Sequence, residues 1–444
     1  MKETKFKQTE VGMIPSDWDV KPLDKFANLI TKGTTPTSIG DNFVDNGVNF
    51  VKIESLTKFS EIDCTKVAYI SENTHKKLFR SQLQTNDLLV SIAGALGRTA
   101  IVKQSDLPAN TNQALSLVRL KKDCLLDVGY LKEWINSNIV QSFIADKTVV
   151  GAQPNISLQN VRDFPIATPP FEEQKRIAQA LSDVDAVIST TEKLIAKKKA
   201  LKQGAMQQLL TGKVRLGFQT KDERRKTSDF TCHSGAEGDR IQGKYKMTEL
   251  GLIPEDWQVK RLGDEVILST ETFESAQYKK EFYVGTENML QDKAGITKNE
   301  TVNPIGKAKG FKRNDILMSN IRPYLKKIWY ANRDGICSND VLVYRVAKNA
   351  IDSSFLYSIL SDDNFFAYVM ENAVGTKMPR GDKKIIREYL FACPPTKEEQ
   401  TSIATVLSDM DSEIAALETK LAKYRQLKTG MMQQLLTGKI RLIK

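Results

Sequence analysis

The chain is written twice. The 45 residues from Glu172 to Leu216 (EEQKRIAQALSDVD…QQLLTGKVRL) recur from Glu398 to Leu442 (EEQTSIATVLSDMD…QQLLTGKIRL) with 26 identities and no gap, a displacement of 226 positions. A second pair opens each copy: VGMIPSDWDVKPL from Val11 and LGLIPEDWQVKRL from Leu250 share 8 of 13 residues at a displacement of 239, so the second copy is about 13 residues shorter between its anchors. A repeat of this length means two copies of one fold, each with a core of its own, as expected for a chain of 444 residues.

Between the anchors the copies diverge, yet a frame persists. NDLLVSIAGALGR from Asn86 matches NDILMSNIRPYLKK from Asn314, and NQALSLVR ending at Arg119 matches NDVLVYR ending at Arg345. A duplicated enzyme would keep its catalytic residues in at least one copy. A duplicated reader of two different targets would diverge where it reads, and this pattern favours the reader. Arg119 and Arg345 occupy matching frame positions and are assigned to structure.

The short apolar runs VNFVKI, LLVSIA, ALSLV, DILMS and VLVYRV read as strands bounded by Gly, Asn and Asp. GYLKEWINSNIVQSFIAD and SSFLYSILSDDNFFAYVMEN read as helical. The fold class is α+β: two domains with mainly β cores, separated by two long antiparallel coiled-coil helices about a pseudo-two-fold. The boundaries are 1–170 for the first domain, 171–216 for the first helix, 217–245 for a polar linker, 246–395 for the second domain and 396–444 for the second helix. The linker is charged, contains Gly and is poor in apolar residues, so little packed structure is expected in it.

The helices carry a seam. Ile403, Leu407, Met410, Ile414, Leu417, Leu421 and Tyr424 recur at alternating spacings of four and three, and Ile177, Leu181, Val184, Ile188, Thr191, Ile195 and Lys198 align with them. Each helix starts after a Pro-Pro pair, which suits a first turn. Glu172, Glu173, Glu398 and Glu399 sit where the helix dipole is positive. Gly204 and Gly430 interrupt the helices, and Gly212 and Gly438 suit C-terminal caps. Roughly 32 helical residues at about 1.5 Å each give close to 48 Å, too long for one face of such a domain. Antiparallel pairing would bury both seams and let the helices act as a ruler.

Composition narrows the partner. Lys and Arg outnumber Asp and Glu by 65 to 54, for a net charge of +11, which favours a polyanion. Cys64, Cys124, Cys232, Cys337 and Cys393 lie far apart without a CxxC pair, which argues against a zinc ribbon or disulfide framework and fits a reducing cytoplasm. The two histidines, His75 and His233, suggest no metal site. MKETKFKQTE has no apolar core, so no signal peptide is expected, and the longest apolar stretch, around Leu88–Leu96, is too short to span a bilayer.

A GxIPxxWxVxxL opening, a helix start with a Pro-Pro pair two or three residues before EQ (PPFEEQ and PPTKEEQ) and a closing QQLLTGKxRL, all present twice, resemble the Type I restriction specificity subunit over nearly the whole chain. The GTTP loop at Gly33–Pro36 and the Gly-to-Pro loops near Gly151 (GAQP) and Gly375 (GTKMP) resemble that family's target-recognition domains. The resemblance implies a non-catalytic, cytoplasmic subunit that reads a bipartite, asymmetric double-stranded DNA target, one half-site per domain, and directs adenine methylation or cleavage by others. It implies two modification subunits using S-adenosylmethionine, and restriction subunits using ATP and Mg, with none of those cofactors on this chain. The long linker departs from the family pattern and leaves the placement of the halves open.

The residues themselves show no competing chemistry. TPPF at 168–171 looks like the [DN]PP[YF] motif of amino-methyltransferases, but Thr168 lacks the carboxamide or carboxylate that the motif needs, and no FxGxG loop precedes it. No GxxxxGK[ST] loop exists. Asp183, Asp185, Asp409 and Asp411 lie beside the seam and are expected to be solvated or partner-facing. The alternatives are a stand-alone DNA-binding scaffold without methyltransferase partners, and a fused methyltransferase or nuclease, which the missing motifs disfavour.

Direct readout uses Arg or Lys on guanine, Asn or Gln on adenine, and Ser or Thr more generally. The candidate DNA contacts are Lys32, Thr34, Thr35, Arg98, Asn112, Gln113, Gln153 and Asn155 in the first domain. In the second they are Arg322, Tyr324, Lys326, Asn339, Lys377 and Arg380. All lie at loop or strand ends where the copies differ.

Overall fold

The computed structural model describes residues 5–148, 154–216, 244–274, 282–297, 307–347 and 351–443. Gln153, the Gly151 loop, Cys232 and His233 lie outside them, as does the linker up to residue 243. Tyr245, placed in the linker by sequence, is the first residue of the strand Tyr245–Thr248.

The chain forms two compact units that do not follow its linear order. One comprises residues 1–194 and 417–444, the other 195–416. Each therefore contains one mixed domain, the start of the helix that follows it and the end of the other long helix.

In the first unit an antiparallel sheet runs in the order Ala27–Lys32, Leu115–Leu120, Leu88–Ser91, Thr99–Ile101. In the second unit Val266–Leu268, Val341–Val346, Ile316–Ser319 and Ile328–Tyr330 take the same order and sense. The two central strands of each sheet are the apolar runs LLVSIA, ALSLV, DILMS and VLVYRV, buried on both faces over four successive residues. A second sheet differs between the copies. Ala109–Thr111 is an edge strand, parallel to Val48–Val51. Its counterpart Gly335–Cys337 is internal, between Lys307–Phe311 and Tyr283–Val284.

Two short helices follow the long central strand in each unit, Val128–Ile135 with Asn138–Lys147 and Ser353–Leu360 with Asp363–Glu371. Asp127 caps the first pair by accepting from the Tyr130 N–H at 2.8 Å, and Asp352 caps the second from Ser354 and Phe355. Their apolar faces bury Tyr130, Leu131 and Trp134, or Phe355, Leu356 and Leu360, each with no exposure. Full burial of such a side chain stabilises by about 1.5–3 kcal/mol.

The long helices span Phe171–Leu209 and Lys397–Leu435, 39 residues each. Gly204 and Gly430 do not interrupt them as expected: both sit inside, where an added Cβ would meet nothing within 4 Å. A solvent-facing glycine weakens a helix without breaking it when the turns on either side are held. Within each unit the two helix segments run antiparallel. Asp185 meets Lys428 at 2.7 Å and Glu192 meets Arg425 at 2.7 Å in the first, and Lys198 meets Glu413 at 2.7 Å and Lys202 meets Asp411 at 2.5 Å in the second. Asp185 and Asp411 are therefore cross-helix ion-pair partners, Asp185 largely covered and Asp411 still exposed to solvent.

Ile177, Leu181, Ile188, Thr191, Ile195, Ile403, Leu407, Ile414 and Leu421 are buried, while Val184, Lys198, Met410, Leu417 and Tyr424 are half-buried. The outer seam residues do more than face the other helix. Ile177 and Leu181 join the core of Trp18 and Trp134, and Ile403 and Leu407 join that of Trp257 and Phe355. Among the described residues no helix is long and apolar enough to cross a membrane.

Candidate nucleic-acid interface

The register of the shared sheet sets the geometry of the candidate readers. In the first unit Lys32 lies opposite Ser116, and Leu115 opposite Ser91. One end of the sheet therefore releases the GTTP loop, the loop 92–98 and the loop 112–114 together. Ile92 donates its N–H to the Ala114 carbonyl at 2.8 Å, which joins two of them.

Gly33 makes the GTTP loop possible by close approach. Its N–H donates to the Asn112 carbonyl at 3.1 Å, and a Cβ there would lie 1.7 Å from the Thr111 carbonyl oxygen. Thr35 Oγ1 then donates to Gln113 Oε1 at 2.5 Å, and Asn112 Oδ1 accepts from the Ala114 N–H at 3.2 Å. Lys32 and Gln113 are exposed, and Thr34, Thr35 and Asn112 half-buried. The neighbouring loop turns at Gly94 and Gly97, with φ of 73° and 74°. Gly94 donates to the Pro154 carbonyl at 3.0 Å, and Ala93 forms a bridge with Asn155. Arg98 and Asn155, both exposed, thus join the same end of the sheet.

In the second unit Val341 lies opposite Ser319, so residues 320–327 and 338–340 leave from the equivalent end. The hairpin Ala373–Val374 with Arg380–Gly381 closes over them: Arg322 donates its N–H to the Pro379 carbonyl at 2.8 Å, and Ile321 bridges Arg380. Arg322, Tyr324, Asn339, Lys377 and Arg380 are exposed. Several are already engaged. Arg380 pairs with Asp340 at 3.3 Å, and Asn339 Nδ2 donates to the Lys307 carbonyl at 2.9 Å. Lys326 and Lys293 share Asp363 at 2.8 and 2.7 Å. Desolvation pushes the Asp363 carboxyl up, but the two lysines outweigh it and hold the group below its ordinary value. Lys326 is thus half-buried in an ion pair.

The frame arginines have a visible structural task. Arg119 Nε and Nη2 each donate at 2.7 Å to the carboxylate of Asp87, which is buried. Arg345 does the same to the buried Asp315 at 2.9 and 2.7 Å. Asn86 and Asn314, the residues before those acids, have φ of 69° and 72°, which Asn tolerates. Sequence reasoning overlooked Phe79 and Arg80, exposed beside the GTTP loop. Nothing in the string LFRS separates them from surface filler, because their placement depends on Asn110, about thirty residues away.

The model of the Type I restriction modification DNA specificity domain matches residues 15–200 and again 254–424. The protein described as the type I restriction enzyme MjaX specificity subunit, from Methanocaldococcus jannaschii, is 29% identical, with 99% of this chain and 97% of the relative covered. The type I restriction enzyme MjaVIII specificity subunit of the same organism is 26% identical, with the same coverage of 99% and 97%. Among solved structures, the Type-I restriction-modification system S subunit from M. genitalium aligns with a TM-score of 0.54 at 14% identity, over 94% of this chain and 96% of that one. That likeness concerns the fold.

Proposed function

The chain belongs to the Type I restriction modification DNA specificity family, as a specificity subunit, and from that membership we propose that each of its two domains reads one half of a bipartite DNA target. The observation that carries this reading is the pairing of a conserved sheet order with divergent loops gathered at one end of that sheet in each unit. A shared frame keeps each domain folded, and the loops differ because each faces a different base sequence. The excess of positive charge supplies the sequence-independent attraction to phosphate, and the loop side chains supply the discrimination.

On this reading the subunit catalyses nothing itself. Two modification subunits carry S-adenosylmethionine and methylate adenine, and restriction subunits carry ATP and Mg and cleave, in the cytoplasm. Each long helix is one uninterrupted element, Phe171–Leu209 and Lys397–Leu435. We assign to them the gap between half-sites, and to their outer faces the partner subunits.

The test is the methylome of cells expressing this chain with its neighbouring modification subunit, compared with the modification subunit alone. A new adenine-methylated motif of two short specific parts around a fixed gap is expected. Exchanging residues 24–168 for the equivalent domain of a relative then changes one part only. No new motif from a soluble, assembled complex, or a change in both parts together, would overturn the reading.

A further inference from the structure

Phe79 is 76% exposed on a part of the first domain that is otherwise tightly held. A lone apolar side chain on a surface needs no explanation by itself. This one is set apart by its support and its neighbours. It opens the single turn Phe79–Ser81 after the helix Glu72–Lys77, and that turn is clamped from beneath. Asn110, with no exposure, donates from Nδ2 to the Leu78 carbonyl at 3.0 Å and to Ser81 Oγ at 3.1 Å, while its Oδ1 meets His75 Nδ1. Ser81 Oγ also donates to the Leu78 carbonyl at 3.2 Å, and Leu78 and Ser81 are both buried. The ring is thus presented outward on a backbone that cannot readily turn it in.

The clamp belongs to the reading loops. Asn110 lies on the strand Ala109–Thr111, which runs directly into Asn112 and Gln113, and Thr111 is the residue on which Gly33 packs. Arg80 reaches back to Thr34 Oγ1 at 3.5 Å. Phe79, Arg80 and the GTTP and NQ loops are therefore one hydrogen-bonded platform. Duplex DNA offers an aromatic ring the π-face of a base, which becomes accessible where a base step opens. A guanidinium alongside suits the flanking phosphate.

Resting on the reading of this domain as a half-site reader, we propose that Phe79 is a wedge that stacks on a base of the first half-site at an opened step, with Arg80 on the adjacent phosphate. The test uses the complex of the full chain with its modification subunit, and duplexes bearing the motif its methylome reports, with 2-aminopurine replacing each purine of the first half-site in turn. Apart from the methylated adenine, which the modification subunit itself turns out of the stack, wild type gives a fluorescence rise at one position on binding. Phe79→Ala abolishes that rise and weakens binding by about five- to a hundredfold, whereas Phe79→Trp retains both. Duplexes altered only in the second half-site lose the same factor with wild type and with Phe79→Ala. Equal affinity and fluorescence for Phe79→Ala and wild type would overturn the wedge and leave the half-site reading intact. So would an affinity loss with no fluorescence rise in wild type at any purine other than the methylated adenine. Absence of any bipartite motif from the wild-type complex would remove the reading, and the wedge with it.

Discussion

Arg441 holds Glu173 across 268 residues of chain: its Nε and Nη2 donate to the two carboxylate oxygens at 2.9 and 2.8 Å. Two further bonds, at 2.9 and 2.7 Å, reach Asp17. Arg215 repeats the arrangement in the other unit, with Glu399 at 2.8 and 2.7 Å and Asp256 at 2.9 Å. Each cluster ties together the IPxDW opening of a domain, the start of the helix that follows it and the end of the other long helix. The three motifs that the two copies share are thus one contact, made twice.

Removing the arginine leaves a buried carboxylate without its partner. The Glu173 side chain has 0% exposure and Arg441 11%, so Arg441→Met is expected to destabilise the first unit by about 3–5 kcal/mol. Adding Glu173→Gln should recover part of that loss, because the orphaned charge is gone. Arg215 is 29% exposed and Arg215→Met should cost less. Denaturant unfolding measures both; losses below about 1 kcal/mol for Arg441→Met would mean the pair is idle.

Acid should loosen the same cluster. Hydrogen bonding from Arg441, against some desolvation, holds the Asp17 carboxyl below its ordinary 3.8. A carboxyl depressed in the folded state adds stability that is present above the unfolded value and lost as pH falls through the folded one. The contribution should therefore fade below pH 3.8, and Asp17→Asn should flatten the acid limb. Unfolding midpoints compared at about pH 3 and about pH 6 decide it: an equal acid drop in wild type and variant would assign the limb to other groups.

The repeat, the strands of the shared sheet and the helix starts were legible because they rest on local pattern: period, turn residues and identity between copies. Glu173 was read as a complement to the helix dipole because its partner lies at the far end of the chain, and no local pattern names it. Gly204 was read as a break because propensity ignores how firmly neighbouring turns are held. Of the second sheet only the run VNFVKI was legible, since its other strands are short and pair differently in the two copies. The readers were nominated by residue type and by position at loop or strand ends, neither of which reveals a side chain's partners, so Lys326 and Arg380, which lie in ion pairs, ranked with Arg98 and Lys377.

Four glycines should respond in opposite directions. At Gly212 and Gly438, φ is 67° and 65°, and a Cβ would lie 2.6 Å from Pro254 Cγ and 2.3 Å from Pro15 Cγ. Alanine at either is expected to cost at least about 1–2 kcal/mol from the backbone alone, with the clash in addition. Gly204 and Gly430 are helical with open space around them, and alanine there should add about 0.8–1.0 kcal/mol each. Thermal melts of the four variants test the contrast, and a gain at Gly438 would contradict the packing of that turn on the IPxDW motif.

The helices offer the most direct test of how target spacing is set. The cross-helix pairs Asp185–Lys428 and Lys202–Asp411 are related by the 226-residue repeat, so a seven-residue insertion made in both helices can preserve the pattern on either side. Inserted after Leu194 and after Ala416, one heptad keeps the seam in phase and lengthens each helix by about 10 Å. At about 34–36 Å per turn of DNA, that is about three base pairs. The methylated motif should keep both half-sites and gain about three unspecified positions between them. A four-residue insertion, which rotates the seam out of phase, should instead disrupt assembly. If the heptad variant methylated the original motif with its original gap, the spacing would have to come from the bound partners and not from these helices.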